Sequence, residues 1–196
     1  MTSKDFINLK ERYKLKTDLL IVDVQNDFCP GGALPTPQGD IVVPVINKLM
    51  DKFDLIIASC DWHPEDTIHF NRWPVHCVKE SYGADFPADL KKEKIIQIFE
   101  KGTGSKDDGY SAFEATNKNL SAYLKEKGVD ELYIAGLTAE YCVKSTVLDA
   151  LKYGYKTFVI KDAVEGIRQN ENDFDNAFEE MKKAGAIIIT SDDVDG

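Results

Sequence analysis

Six short runs of continuous apolar residues constrain this chain more than any other feature. They are TDLLIVDVQ (17–25), DLIIASC (54–60), KIIQIFEK (94–101), ELYIAGL (131–137), KTFVIKD (156–162) and AIIIT (186–190). Aliphatic and β-branched residues follow one another with little polar alternation. That pattern suits strands covered on both faces, as in a parallel sheet. Helical patterns lie between them at 40–53, 112–128, 139–154 and 171–185. Gly128, Gly154 and Gly185 follow the last periodic residue of three of these, where C-terminal caps stand. Alternating strands and helices predict an α/β sandwich with a mostly parallel sheet. A chain of 196 residues is expected to form a single domain over 1–196.

The formal net charge of −10 argues against nucleic acid or an anionic membrane as a partner, since both call for a basic patch. No apolar run approaches the roughly 18 residues needed to span a bilayer. The N-terminal stretch MTSKDFINLKERYKLK is polar, without the apolar core of an export signal. Cys29, Cys60, Cys77 and Cys142 are therefore expected as free or catalytic thiols in a cytoplasmic protein rather than as two disulfides. The C-terminal SDDVDG (191–196) is expected to be frayed.

A parallel sheet gathers the C-terminal ends of its strands on one edge, which is where open α/β folds bind ligands. The first strand reaches that edge near Asp23, the second at Asp61 with His63 beyond it, and the third at Lys101. The fourth ends at Gly136-Leu137-Thr138, and Cys142 follows in the next helical pattern. Thr138 is placed to cap that helix. A helix N-terminus and a nearby lysine both favour a thiolate, and free N–H groups at the turn suit an oxyanion. Asp23, Lys101 and Cys142 together form a nucleophile with a base and a cation to tune it. Each also has a plain structural reading: a buried thiol, a loop-capping carboxylate, a lysine reaching for solvent.

All three histidines of the chain, His63, His69 and His76, fall within fourteen residues of the long segment 61–93. A connection of that length in a compact domain is usually functional. One carboxylate, Asp61, with two or three imidazoles suits Zn2+, Fe2+ or Mn2+. A structural zinc site using Cys60 and Cys77, and histidines used only for packing, are the alternatives at this point.

Taken in order, LLIVDVQNDFCPGGAL (19–34), DWHPEDTIHF (61–70), WPVHCV (73–78), FEKG (99–102) and GLTAEYCVKSTVLDA (136–150) resemble the isochorismatase-like cysteine hydrolases. The likeness covers residues 17–168 and is strongest to the nicotinamidase/pyrazinamidase branch. It implies a three-layer α/β/α sandwich around a six-stranded parallel sheet. It also implies Asp23, Lys101 and Cys142 as a catalytic triad. Asp61, His63 and His76 match metal ligands, and His69 matches a histidine that is a ligand in some members and a neighbour in others. Phe28 and Trp73 match aromatic residues around the substrate ring. Leu137–Thr138 matches a cis peptide, and the Thr138 and Cys142 N–H groups match oxyanion donors. The segment GTGSKDDGYSAF (102–113) is longer and more polar than the corresponding family loop; Tyr110 is read as its aromatic contribution. One divalent metal, zinc first, and nicotinamide as substrate, with pyrazinamide as a second candidate, follow from the resemblance, as does a place in NAD salvage. Another superfamily amidase acting on N-carbamoyl or ureido compounds, a non-enzymatic metal-binding protein and a redox-sensing thiol protein are the competing readings. A monomer and a homo-oligomer are both left open.

Overall fold

A computed structural model describes residues 16–194. The polar N-terminal stretch up to residue 15 and the last two residues lie outside that range. The six apolar runs form one sheet: β1 (Thr17–Val22), β2 (Leu55–Asp61), β3 (Gln97–Lys101), β4 (Glu131–Leu137), β5 (Lys156–Glu165) and β6 (Ile187–Ile189). Their order is β3-β2-β1-β4-β5-β6, and every neighbouring pair is parallel. The chain winds outward from β1 in one direction and from β4 in the other. The boundary between β1 and β4 is thus the topological switch point, where a crevice opens at the strand ends.

Successive side chains of β1 show why the runs are unbroken. Leu19 and Ile21 enter one hydrophobic layer and Leu20 and Val22 the other, all without exposure. The first layer is closed by α1 (Val42–Leu49) and by parts of the 62–95 segment, including Cys77, Ala84 and Leu90. The second is closed by α2 (Leu120–Lys127), α3 (Lys144–Lys152) and α4 (Asp173–Ala184). The α/β sandwich predicted from the strand pattern is therefore present, in the three-layer α/β/α form that the resemblance implied.

Two helical expectations need correction. The pattern over 112–128 is not one helix. A 3-10 turn at Ala112–Glu114 is closed by a capping box on Ser111, and α2 starts afresh where the Asn119 side chain accepts from Ala122 N. Between them, Thr116 N donates to Glu100 O, while Asn117 Oδ1 accepts from Glu100 N. Those residues cover the free edge of β3 instead of coiling. The pattern over 139–154 opens as a π-helical turn, Ala139–Val143, and becomes α-helical only from Lys144. Thr138 stands at the N-cap position, but its side chain makes no capping bond. Gly128, Gly154 and Gly185 all take a positive φ at the ends of their helices, Gly154 one residue past the C-cap, Tyr153.

The expected fraying of the C-terminal segment is not found up to residue 194. Ser191–Asp193 form a 3-10 turn with a capping box on Thr190, Val194 is buried, and Lys52 Nζ donates to its carbonyl at 2.6 Å.

Candidate active site

The edge of the sheet at the switch point gathers all of the predicted triad. Asp23 follows the last residue of β1 and adopts a left-handed backbone (φ 49°), a conformation uncommon outside glycine. Its Oδ1 accepts from Ser59 Oγ at 2.8 Å. Lys101 closes β3 with its side chain fully buried, and its ammonium stands 2.7 Å from Asp23 Oδ2. The same ammonium lies 3.4 Å from Cys142 Sγ. Asp23 and Lys101 have no exposure at all; they sit behind the thiol, which itself lines an open cleft.

Lys101 has a second carboxylate partner, Asp61, at 2.5 Å from Oδ1. The other oxygen of Asp61 faces His63 Nε2 at 3.8 Å and His76 Nε2 at 3.9 Å. Triad and histidine cluster therefore meet in one residue. Residue 61 is itself fixed by Gln25, whose Oε1 accepts from Asp61 N and whose Nε2 donates to Asp61 O, each at 2.8 Å.

The three imidazoles converge. Each offers a ligand atom within 4.8 Å of the others. Each also spends Nδ1–H on an outer acceptor: Gly102 O for His63 at 2.9 Å, Asp107 Oδ1 for His69 at 2.7 Å, and Pro74 O for His76 at 2.7 Å. That leaves Nε2 as the free lone pair, the arrangement seen behind metal-bound histidines. His63 Nε2 is buried and has no hydrogen-bond partner. An orphaned acceptor beside two further imidazoles and an anionic carboxylate fits a divalent cation. Burial, the largest influence, holds His69 and His76 below the ordinary imidazole range, so both are neutral at pH 7. Neither Cys60 nor Cys77 joins a donor group among the described residues, and all four cysteines are free. The structural-zinc and disulfide alternatives fall away.

Charge is divided unevenly within this cluster. Burial raises the Asp23 carboxyl, Lys101 pulls it back, and the result is a pKa of about 6. Asp61 is also pushed upward by burial, yet Lys101 and the neighbouring histidines outweigh it and hold it well below the usual carboxylate range. Burial works against the Lys101 ammonium too, but the two carboxylates keep it charged. For Cys142 burial dominates and lifts the thiol well above its ordinary value despite Lys101. Burial thus outweighs the lysine and the helix terminus that favour a thiolate. The residue sits in the π-helical turn and is 7% exposed, so little water reaches it to solvate an anion. A neutral thiol beside a carboxylate titrating near 6 needs that carboxylate as its base at the moment of attack.

A narrow cleft lies over these groups, its cavity volume about 30 Å³. Phe28, Trp73 and Tyr110 line it, together with Thr138, Leu34, Tyr141 and Ile167. The Leu137–Thr138 peptide is cis. Tyr141 stands edge-on to Trp73 with ring centroids 4.9 Å apart. The sequence reading did not single out Tyr141, Gln25, Ser59 or Asp107.

Residues 17–193 match the isochorismatase domain. The chain belongs to the isochorismatase family. A nicotinamidase of Escherichia coli is 40% identical, with 88% of this chain and 93% of that protein covered. A pyrazinamidase of Pyrococcus horikoshii, solved in complex with zinc, is 43% identical at a TM-score of 0.81, covering 89% and 99% of the two chains. A protein from L. infantum solved in complex with nicotinate is 30% identical at a TM-score of 0.84, covering 90% and 93% of the two chains. Among the described residues of this isochorismatase-family chain, no helix is long and apolar enough to cross a membrane.

Proposed function

We propose that the chain works as a single-domain nicotinamidase, hydrolysing nicotinamide to nicotinate and ammonia, with a role in NAD salvage in the cytoplasm. The observation that carries this reading is the junction at Asp61. One carboxylate joins a buried Asp23–Lys101–Cys142 triad to three converging imidazoles on the floor of a small aromatic cleft. The similar nicotinamidases and the relative with bound nicotinate support the substrate class.

Asp61, His63, His69 and His76 are the residues that would hold the metal; the zinc-bound relative favours Zn2+ over Fe2+ or Mn2+. When bound, such an ion supplies a Lewis acid suited to a basic ring nitrogen. The chain's own groups do the rest. Phe28, Trp73 and Tyr110 give the ring an apolar aromatic surround and fix its orientation over Cys142. As the thiol attacks the carboxamide carbon, its proton passes to Asp23. The charge developing on the amide oxygen falls beside the Thr138 and Cys142 N–H groups. Asp23 returns the proton to the departing ammonia, leaving a thioester on Cys142. Attack by water on that thioester releases nicotinate and restores the thiol. Lys101 keeps its positive charge throughout and offsets the anion as it moves between Asp23 and Cys142.

Ammonia release from nicotinamide by purified protein, measured before chelation, after it and after metal is returned, tests the proposal. Turnover lost on chelation and restored by Zn2+ is expected. Metal-loaded protein that releases no ammonia would refute it. Pyrazinamide belongs in the same assay, because the cleft is apolar around the ring and a second ring nitrogen adds no bulk.

A further inference from the structure

The loop after β3 contains a junction that neither the strands nor the triad explains. Asp107 Oδ1 accepts from His69 Nδ1 at 2.7 Å and from the Tyr110 hydroxyl at 3.0 Å. Its Oδ2 lies 3.6 Å from the Arg72 guanidinium. The Tyr110 oxygen in turn accepts from Trp73 Nε1 at 3.0 Å. A single carboxylate thus links one imidazole of the donor cluster to two aromatic walls of the cleft.

His69 differs from its two neighbours in what orients it. His63 and His76 give Nδ1–H to main-chain carbonyls, of Gly102 and Pro74. Those acceptors are present whatever side chain the residue carries. His69 depends on a replaceable side chain for its Nδ1 acceptor; rings of His63, stacked at 4.5 Å, His76 at 5.4 Å and Tyr110 at 5.8 Å pack around it. An imidazole that loses its Nδ1 acceptor is free to change tautomer or turn, and either change takes the Nε2 lone pair out of the cluster.

We propose that Asp107 is a positioning residue for metal binding. It holds His69 with Nε2 directed at His63 and His76, and through Tyr110 it fastens the Trp73 wall to the same centre. The inference rests on reading the three histidines as a metal set. It gives the long polar loop 102–112 a purpose: metal affinity and grip on the ring are coupled through one carboxylate that touches neither.

The test measures Co2+ affinity of metal-free protein by chelator competition, with the visible spectrum of the Co2+ form as a second readout. Asp107→Ala, Asp107→Asn, His69→Ala and the double alanine variant are compared. The Asp107 side chain is 32% exposed, so both replacements fit without repacking. Asp107→Ala is expected to weaken Co2+ binding roughly 10- to 100-fold and to alter the spectrum. Asp107→Asn, which keeps an acceptor oxygen, recovers most of the affinity. The double variant binds no more weakly than His69→Ala alone. An Asp107→Ala protein with the affinity and spectrum of the wild type overturns the proposal. So does a double variant in which the two losses multiply, because Asp107 would then act without His69. These readouts need no substrate, so an absence of nicotinamide hydrolysis would leave the test intact.

Discussion

Asp61 is where two chemistries meet, and its surroundings show how identical residue types acquire different jobs. Asp23 and Asp61 are both buried and both contact Lys101. Asp61 also faces two imidazoles and stays anionic, which suits a metal ligand. Asp23 contacts Ser59 and the shared lysine but no imidazole of the cluster, and burial raises its pKa to about 6, which suits a base. The sign of the pH dependence follows. Above 6 Asp23 is ionised and can take the thiol proton; below 6 it is already protonated. The pH profile of kcat/KM should therefore fall about tenfold per unit on its acid side, with the bend near pH 6. A profile flat down to pH 4.5 would remove Asp23 from the role of base. Cys142→Ala should lower turnover at least about 10³-fold while metal content by elemental analysis is unchanged. The triad and the histidines could be read from their positions after apolar runs. Ser59, Gln25 and Asp107 could not, because each acts through a partner 36 or more residues away.

At the level of elements, the β3-to-loop turn sets the position of a histidine. Gly102 has a left-handed φ of 64°, and a Cβ added there would lie 2.5 Å from His63 Cε1. Gly102 O is also the acceptor that orients the His63 ring. Gly102→Ala should displace that ring, weaken metal binding roughly tenfold or more, and cost about 1 kcal/mol or more in stability through the strained φ. Chelator competition and denaturant unfolding check the two effects separately; wild-type values in both would show that the turn adapts freely. The element reading failed where edge coverage took precedence over helical periodicity. Residues 115–118 sit inside a helical pattern, yet the exposed edge of β3 leaves Glu100 N–H and C=O unpaired unless Thr116 and Asn117 supply partners. Helical periodicity reports one local preference and contains no information about a distant edge. The π-turn at Ala139–Val143 likewise lies where the chain leaves β4 and presents Cys142 to the cleft.

Across the whole molecule, metal binding and stability are linked. The candidate ligands come from the end of β2 and from the loop beyond it, and the ring orientations also depend on the loop after β3. Only folding brings those side chains together, so an ion held there would bind the folded state in preference to the unfolded one. Free metal at about 100 times its dissociation constant should add about 2.7 kcal/mol, read as a rise in Tm that chelation reverses. A Tm indifferent to metal would mean that the cluster does not bind the ion in solution. The sequence by itself determined the sheet, because continuous apolar runs find no stable place except between two covering layers. It also determined which chemical groups reach the strand ends, since those follow the runs directly. Tertiary structure alone decided that Asp61 serves both lysine and histidines, that the Cys142 thiol rests protonated, and that Asp107 stands behind His69. Those outcomes depend on desolvation and on distances of a few ångströms between segments far apart along the chain, and no local pattern of residues encodes either.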